Sequence, residues 1–194
     1  VEGIFIFIFF VILVYKLIKI LNMKDLIREN LSINVKSVDL LNEQIKMEFE
    51  ASAMYLSMAS WCDQKGFEKS AKFFYEQSSE EREHMLKIFK FVNDNGGIAY
   101  SPTVSNVNHE YSSIVDVFET ALRAEIKVSK SIHNIFKQCR KLDDFGSELF
   151  MQWFVTEQLE EEQTIRRALQ IFELCGESNE DLYLADKRIE KIQD

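Results

Sequence analysis

Four long stretches of the sequence place apolar residues in alternating steps of four and three, and each run is interrupted near its middle by a carboxylate. Such steps collect residues onto one stripe of an α-helix. The clearest run is Phe67, Ala71, Phe74, Ser78, Glu81, Met85, Ile88 and Val92, with His84 three residues beyond Glu81 at the edge of the same face. A second joins Leu41, Ile45, Glu48, Ser52, Tyr55, Ala59 and Cys62. A third joins Phe118, Ala121, Glu125, Val128, Ile132, Ile135 and Cys139, and a fourth Phe154, Gln158, Glu161, Ile165, Ala168 and Phe172. A stripe of this kind is buried, and a buried carboxylate without a partner is costly. The pattern therefore predicts an all-α four-helix bundle in which the four interruptions meet.

Punctuation divides the chain accordingly. The first helix is expected from Ser37, a plausible N-cap, to Lys65, with Gly66 as its stop, and the second from Glu68 to Asp94, ended by Asn95-Gly96-Gly97. The turn between them is short, so they should lie antiparallel. Residues 95–111 hold the single proline, Pro102, and are too long for a simple turn. Roughly 17 residues reach about 55 Å when extended, against about 40 Å for a 28-residue helix, so this segment is expected to cross the whole bundle. The third helix is expected over 113–141, the fourth over 147–174, and a short fifth over 179–192 with Leu182, Leu184 and Ile189 as its apolar contacts.

A length of 194 residues suffices for one well-packed core. With 32 acidic residues against 23 basic ones the net charge is −9, which argues against a nucleic-acid partner and suits a protein that handles cations. Cys62, Cys139 and Cys175 are odd in number and widely spaced, as expected of reduced cysteines in a cytoplasmic protein. The first segment stands apart. Residues 4–14 are an unbroken apolar run, followed by Tyr15-Lys16-Leu17-Ile18-Lys19. No basic residue precedes the run and no small-residue cleavage site follows it, unlike a signal peptide. Met23 opens an ordinary polar segment. Residues 1–22 are therefore expected to be an extension from an upstream start, with a short membrane anchor as the alternative, and 23–194 the folded domain. Without an anchor, no membrane partner is expected.

Glu48, Glu81 with His84, Glu125, and Gln158 with Glu161 all fall near mid-helix, so antiparallel packing brings them to one level. Carboxylates gathered in a core repel one another strongly. Two divalent metals would neutralise them, and carboxylates with a single imidazole suit Fe(II), and also Mn(II) or Zn(II). Glu-x-x-His on a helix is also the pair that carboxylate-bridged di-metal bundles present. Glu81 can bridge the two metals, with His84 and Glu48 on one and Glu125 and Glu161 on the other. One glutamate in a seam could be a specificity residue; four at one level are harder to explain without metal. Glu157–Glu162 reads as a mixture, with Glu161 inward, Glu157 and Glu160 lining a nearby site, and Glu162 outward. His109 and His133 lack ligand partners at helical spacing and are expected at the surface or in packing. Trp61 and Trp153 read as core or interface aromatics.

These residues resemble the non-haem ferritins of bacteria over roughly 37–192. The resemblance rests on Leu41-Asn42-Glu43-Gln44 leading to Glu48 and Tyr55, Ser60-Trp61-Cys62, Glu80-Glu81 through His84-Met85, and Gln152 through Gln158 followed by Glu160-Glu161-Glu162. It implies a ferroxidase centre with Glu48, Glu81 and His84 on one iron. Glu81, Glu125 and Glu161 would serve the second, with Gln158 beside it. It also implies a third iron site at Glu80, Glu157, Glu160 and Glu161, and Tyr55 as an electron donor next to the centre. The related bacterioferritins carry a second Glu-x-x-His on the fourth helix. Here Glu160 follows Glu157 and Glu161 follows Gln158, so that histidine is missing. Met54 and Met58 are explained by core packing, and no haem is expected.

The expectation is thus an iron-storage ferritin that oxidises Fe(II) with dioxygen or peroxide and keeps Fe(III) as a mineral inside a homo-oligomeric shell, which the resemblance puts at 24 subunits. The rival is a soluble di-iron carboxylate oxidase or peroxidase of the same superfamily; it would need a substrate pocket and usually a second histidine. A second rival, a metal-free helical bundle used as an interaction module, predicts no tight metal binding.

Overall fold

The computed structural model describes residues 9–20, 32–176 and 178–192. A helix over 9–20 (α1) comes first. Five more follow: α2 (Val35–Lys65), α3 (Glu68–Asp94), α4 (Ile114–Lys141), α5 (Phe145–Cys175) and α6 (Asn179–Ile189). The described residues form an all-α bundle. α2 packs against α3 and α4 against α5, α2 also meets α4, and α6 sits on α5 and α3.

Gly66 ends α2 with φ 83°, a left-handed backbone that suits glycine, and the chain turns back into α3. The long connection is a crossover. Near its start Asn42 donates to the Ile98 carbonyl and accepts from the Tyr100 amide, and near its end Ser57 donates to the Asn108 carbonyl. The loop therefore follows α2 from Asn42 to Ser57, which lets α4 run back alongside α2.

Several boundaries depart from expectation, for physical reasons. The N-cap of α2 is Asn34, not Ser37. Its side chain accepts from the Lys36 amide, while its own amide donates to Asp144 Oδ2 at 2.9 Å. Ser37 is instead fully buried beside Cys139. α5 starts at Phe145 because Asp144 caps it, accepting from the Ser147 amide at 3.1 Å, so Gly146 lies inside the first turn. α6 ends at Ile189, not Ile192. Its inward residues are Ala185, Asp186 and Ile189, while Leu184 faces solvent.

The apolar side chains of α1, from Phe9 to Ile20, are exposed. The proposed boundary at residue 22 and the beginning of the apolar run lie outside the described residues. Among those described, no helix is long and apolar enough to cross a membrane.

Candidate metal centre

The bundle interior is two apolar clusters with a polar layer between them. One cluster holds Tyr55 to Cys62 of α2, Ala71 to Phe74 of α3, Ile114 to Ala121 of α4 and Ile165 to Phe172 of α5. The other holds Leu41 and Ile45, Met85 to Val92, Val128 to Cys139, and Met151 and Phe154. On every long helix the gap between the clusters is where the seam carries polar groups: Glu48, then Gln77, Glu81 and His84, then Glu125, then Gln158 and Glu161, all buried. The shared level expected from the sequence is thus a physical layer.

Glu48, Glu81 and His84 bring ligand atoms within 4.8 Å of one another, and so do His84, Glu157 and Glu161. His84 Nδ1 lies 3.5 Å from Glu81 Oε2, and Nε2 lies 3.9 Å from Glu157 Oε1. Glu125 is held from two sides. The Tyr55 hydroxyl donates to its Oε1, and Gln158 Nε2 donates to its Oε2 at 2.9 Å. Gln44, one turn before Glu48, donates to Glu48 Oε1 at 2.9 Å. Glu48 Oε2 and both oxygens of Glu81 are buried with no amide, hydroxyl or imidazole N–H donating to them, and the two carboxyls are close enough to share a proton. Buried acceptors are normally satisfied. Acceptors from facing helices without donors fit a cation between them.

Electrostatics agree with that. Burial, with Glu125 and Glu48 nearby, holds the Glu81 carboxyl well above its usual range. Burial likewise raises Glu48 and Glu125. Glu161 is pushed up to about 9, by burial first and then by Glu125, Glu80 and Glu157. Burial, with Lys87 close by, lowers His84 to about 4, so its imidazole is neutral and has a free lone pair. Without a cation the layer therefore retains protons, and divalent metals would displace them.

Glu161 also faces outward onto an open cleft of about 640 Å³ lined by Glu76, Gln77, Glu80, Glu157, Glu160 and Thr164. Gln77 Nε2 donates to Glu80 Oε2 there, and the Gln77 amide partly offsets the rise of the Glu161 carboxyl. The residues matched to a third iron site thus share one cleft that opens from the buried layer. Glu162 turns away, bonded to Ser129 and Arg166. His109 and His133 are exposed, and Cys62, Cys139 and Cys175 are unpaired. Trp61 is in the core, whereas Trp153 lies half-exposed with its ring edge-on to His84 at 5.4 Å. Sequence reasoning missed Gln44 and Gln77. Gln44 is four residues before Glu48 and Gln77 four before Glu81, a spacing that could have marked both as amides on the same stripe.

An antiparallel four-helix core with a crossover, a short terminal helix and a buried carboxylate–imidazole layer defines a ferritin-like protein. The comparisons agree: the family model for the ferritin-like domain matches residues 38–175, and the chain belongs to that family. Its relatives point to the non-haem branch. A Haemophilus influenzae protein named "Probable bacterial non-heme ferritin-like protein" is 38% identical over 150 residues, covering 77% of this chain and 91% of that protein. The bacterial non-heme ferritin of Staphylococcus saprophyticus is 34% identical over 157 residues, covering 81% and 94%. Among solved structures, the open-pore ferritin of Archaeoglobus fulgidus superimposes with a TM-score of 0.79 at 34% identity, covering 81% of this chain and 97% of that one.

Proposed function

We propose that this chain is an iron-storage ferritin whose polar layer is a ferroxidase centre. The observation that carries the reading is the set of orphaned oxygens on Glu48 and Glu81 beside the neutral imidazole of His84. In this reading Fe(II) is the substrate. Glu48, Glu81 and His84 take one ion. Glu81, Glu125 and Glu161 take the other, with Gln158 beside it. Two Fe(II) each give one electron to dioxygen, which takes up two protons and leaves as hydrogen peroxide. Protons displaced from the buried carboxyls are at hand for this. Tyr55 and Gln158 hold Glu125 in place throughout. The electron-donor role of Tyr55 rests on the family resemblance. Glu80, Glu157 and Glu160 then offer Fe(III) a path through the open cleft toward a mineral. Storage needs an enclosed cavity, which supports a 24-subunit homo-oligomer working in the cytoplasm.

The test is to add excess Fe(II) in air and follow protein and iron together through size exclusion. The expected result is Fe(III) co-eluting with a large particle, far in excess of a few ions per chain. About two ions per chain on a small oligomer would favour the di-iron oxidase instead, and no retained iron would overturn both.

A further inference from the structure

His84 stands between two groups that could each hold a metal, and it can serve only one at a time. Ligand atoms of Glu48, Glu81 and His84 form one group and those of His84, Glu157 and Glu161 a second, with Nδ1 facing Glu81 and Nε2 facing Glu157. A neutral imidazole has one lone pair and one N–H. If Nδ1 binds an ion beside Glu48 and Glu81, Nε2 must carry the proton, and the carboxylate facing Nε2 is Glu157, 3.9 Å away, so a small rotation of the Glu157 side chain closes the hydrogen bond. The ring is not free to choose another partner easily, because Trp153 and Phe154 meet it edge-on at 5.4 and 6.0 Å. Both aromatics come from the same helix as Glu157, so one segment of α5 sets both the ring plane and the acceptor.

We propose that Glu157 is a positioning residue for His84: by accepting the Nε2 proton it holds the imidazole in the tautomer that presents Nδ1 to the first metal. Metal-bound histidines commonly lean on such a carboxylate, and its loss typically weakens metal affinity about 10–100-fold. The inference rests on the ferroxidase reading and deepens it. Glu157 also lines the outer cleft. An ion in the cleft that draws Glu157 to itself withdraws support from His84, so filling the cleft loosens the first site.

The test is anaerobic titration of the assembled protein with Co(II), read by calorimetry and by the visible spectrum of the first ion bound. Glu157→Ala should weaken the first ion about 10–100-fold and change its spectrum. Glu157→Gln keeps an oxygen acceptor for the Nε2 proton and should keep the first ion near wild-type affinity and spectrum, while the cleft loses a charged ligand and its ion. A first ion in Glu157→Ala as tight as in wild type, or Glu157→Gln as weak as Glu157→Ala, overturns the inference. Failure of the wild type to bind two Co(II) per chain would overturn the ferroxidase reading itself, a separate result.

Discussion

At the scale of single residues the centre is a liability until cations arrive. Glu161 has a folded pKa of about 9 against a usual 4.5. The folded state thus binds more protons than the unfolded one across that interval, and stability must fall as pH rises through it. Glu48, Glu81 and Glu125 are shifted in the same direction. Metal-free protein should therefore melt at progressively lower temperature between about pH 5 and 9, with metal affinity rising over the same range as protons are displaced. Calorimetry of metal-free protein checks this, and a melting temperature that climbs with pH would contradict it. Glu81→Gln separates stability from function. Removing a carboxyl that folding obliges to hold its proton should lessen the loss of metal-free stability as pH rises, and should abolish the stabilisation that Co(II) confers on the wild type. Melting curves of both proteins with and without Co(II) decide it.

At the scale of elements, distant carboxylates fasten helix ends. The first residue outside α3 is Phe67, which has no capping side chain. The cap comes instead from α6, where Asp186 accepts from the Lys69 amide at 3.1 Å, the Ser70 amide at 2.8 Å and the Ser70 hydroxyl at 2.7 Å. Asp186 is buried, and its negative charge lies at the positive end of the α3 dipole. One contact thus caps a long helix and docks a short one. Asp186→Ala should cost about 1–2 kcal/mol and release α6, seen as faster hydrogen exchange over Asn179–Ile189 while α4 stays protected. Unchanged exchange there would mean that Ala185 and Ile189 dock the helix unaided. Asp144 plays the matching part at the other end, accepting from Asn34 and from Ser147. The caps themselves are local, Asn34 on Lys36 and Asp144 on Ser147, and the Asn34–Asp144 contact ties the starts of α2 and α5 together across 110 residues.

At the scale of the whole molecule, the split core explains how a buried polar layer is tolerated. An apolar cluster on each side keeps the helices in register, so the helices do not depend on the polar groups between them for their packing. The N-terminal helix is different. Its apolar side chains are exposed, and the expected domain begins after it. A chain of residues 23–194 should assemble and take up iron as the full chain does, with less aggregation. Light scattering of both chains, before and after iron loading, checks this; a truncated chain that no longer assembles would show that the extension belongs to the shell.

The sequence by itself determined the helices, the crossover and the level of the centre, because periodic burial and helix punctuation are local properties written every three or four residues. Glu48, Glu81, Glu125 and Glu161 were legible as interruptions of that period, and His84 as the residue at the edge of the same face. Only the tertiary structure decided which groups meet. It pairs Tyr55 and Gln158 on Glu125, gathers Gln77, Glu80 and Glu161 around one cleft, sets His84 between Glu81 and Glu157, and sends Asp186 to the start of α3. Those pairings depend on the rotation and axial shift of one helix against another. Such offsets come from packing between faces distant in sequence, and no run of consecutive residues encodes them.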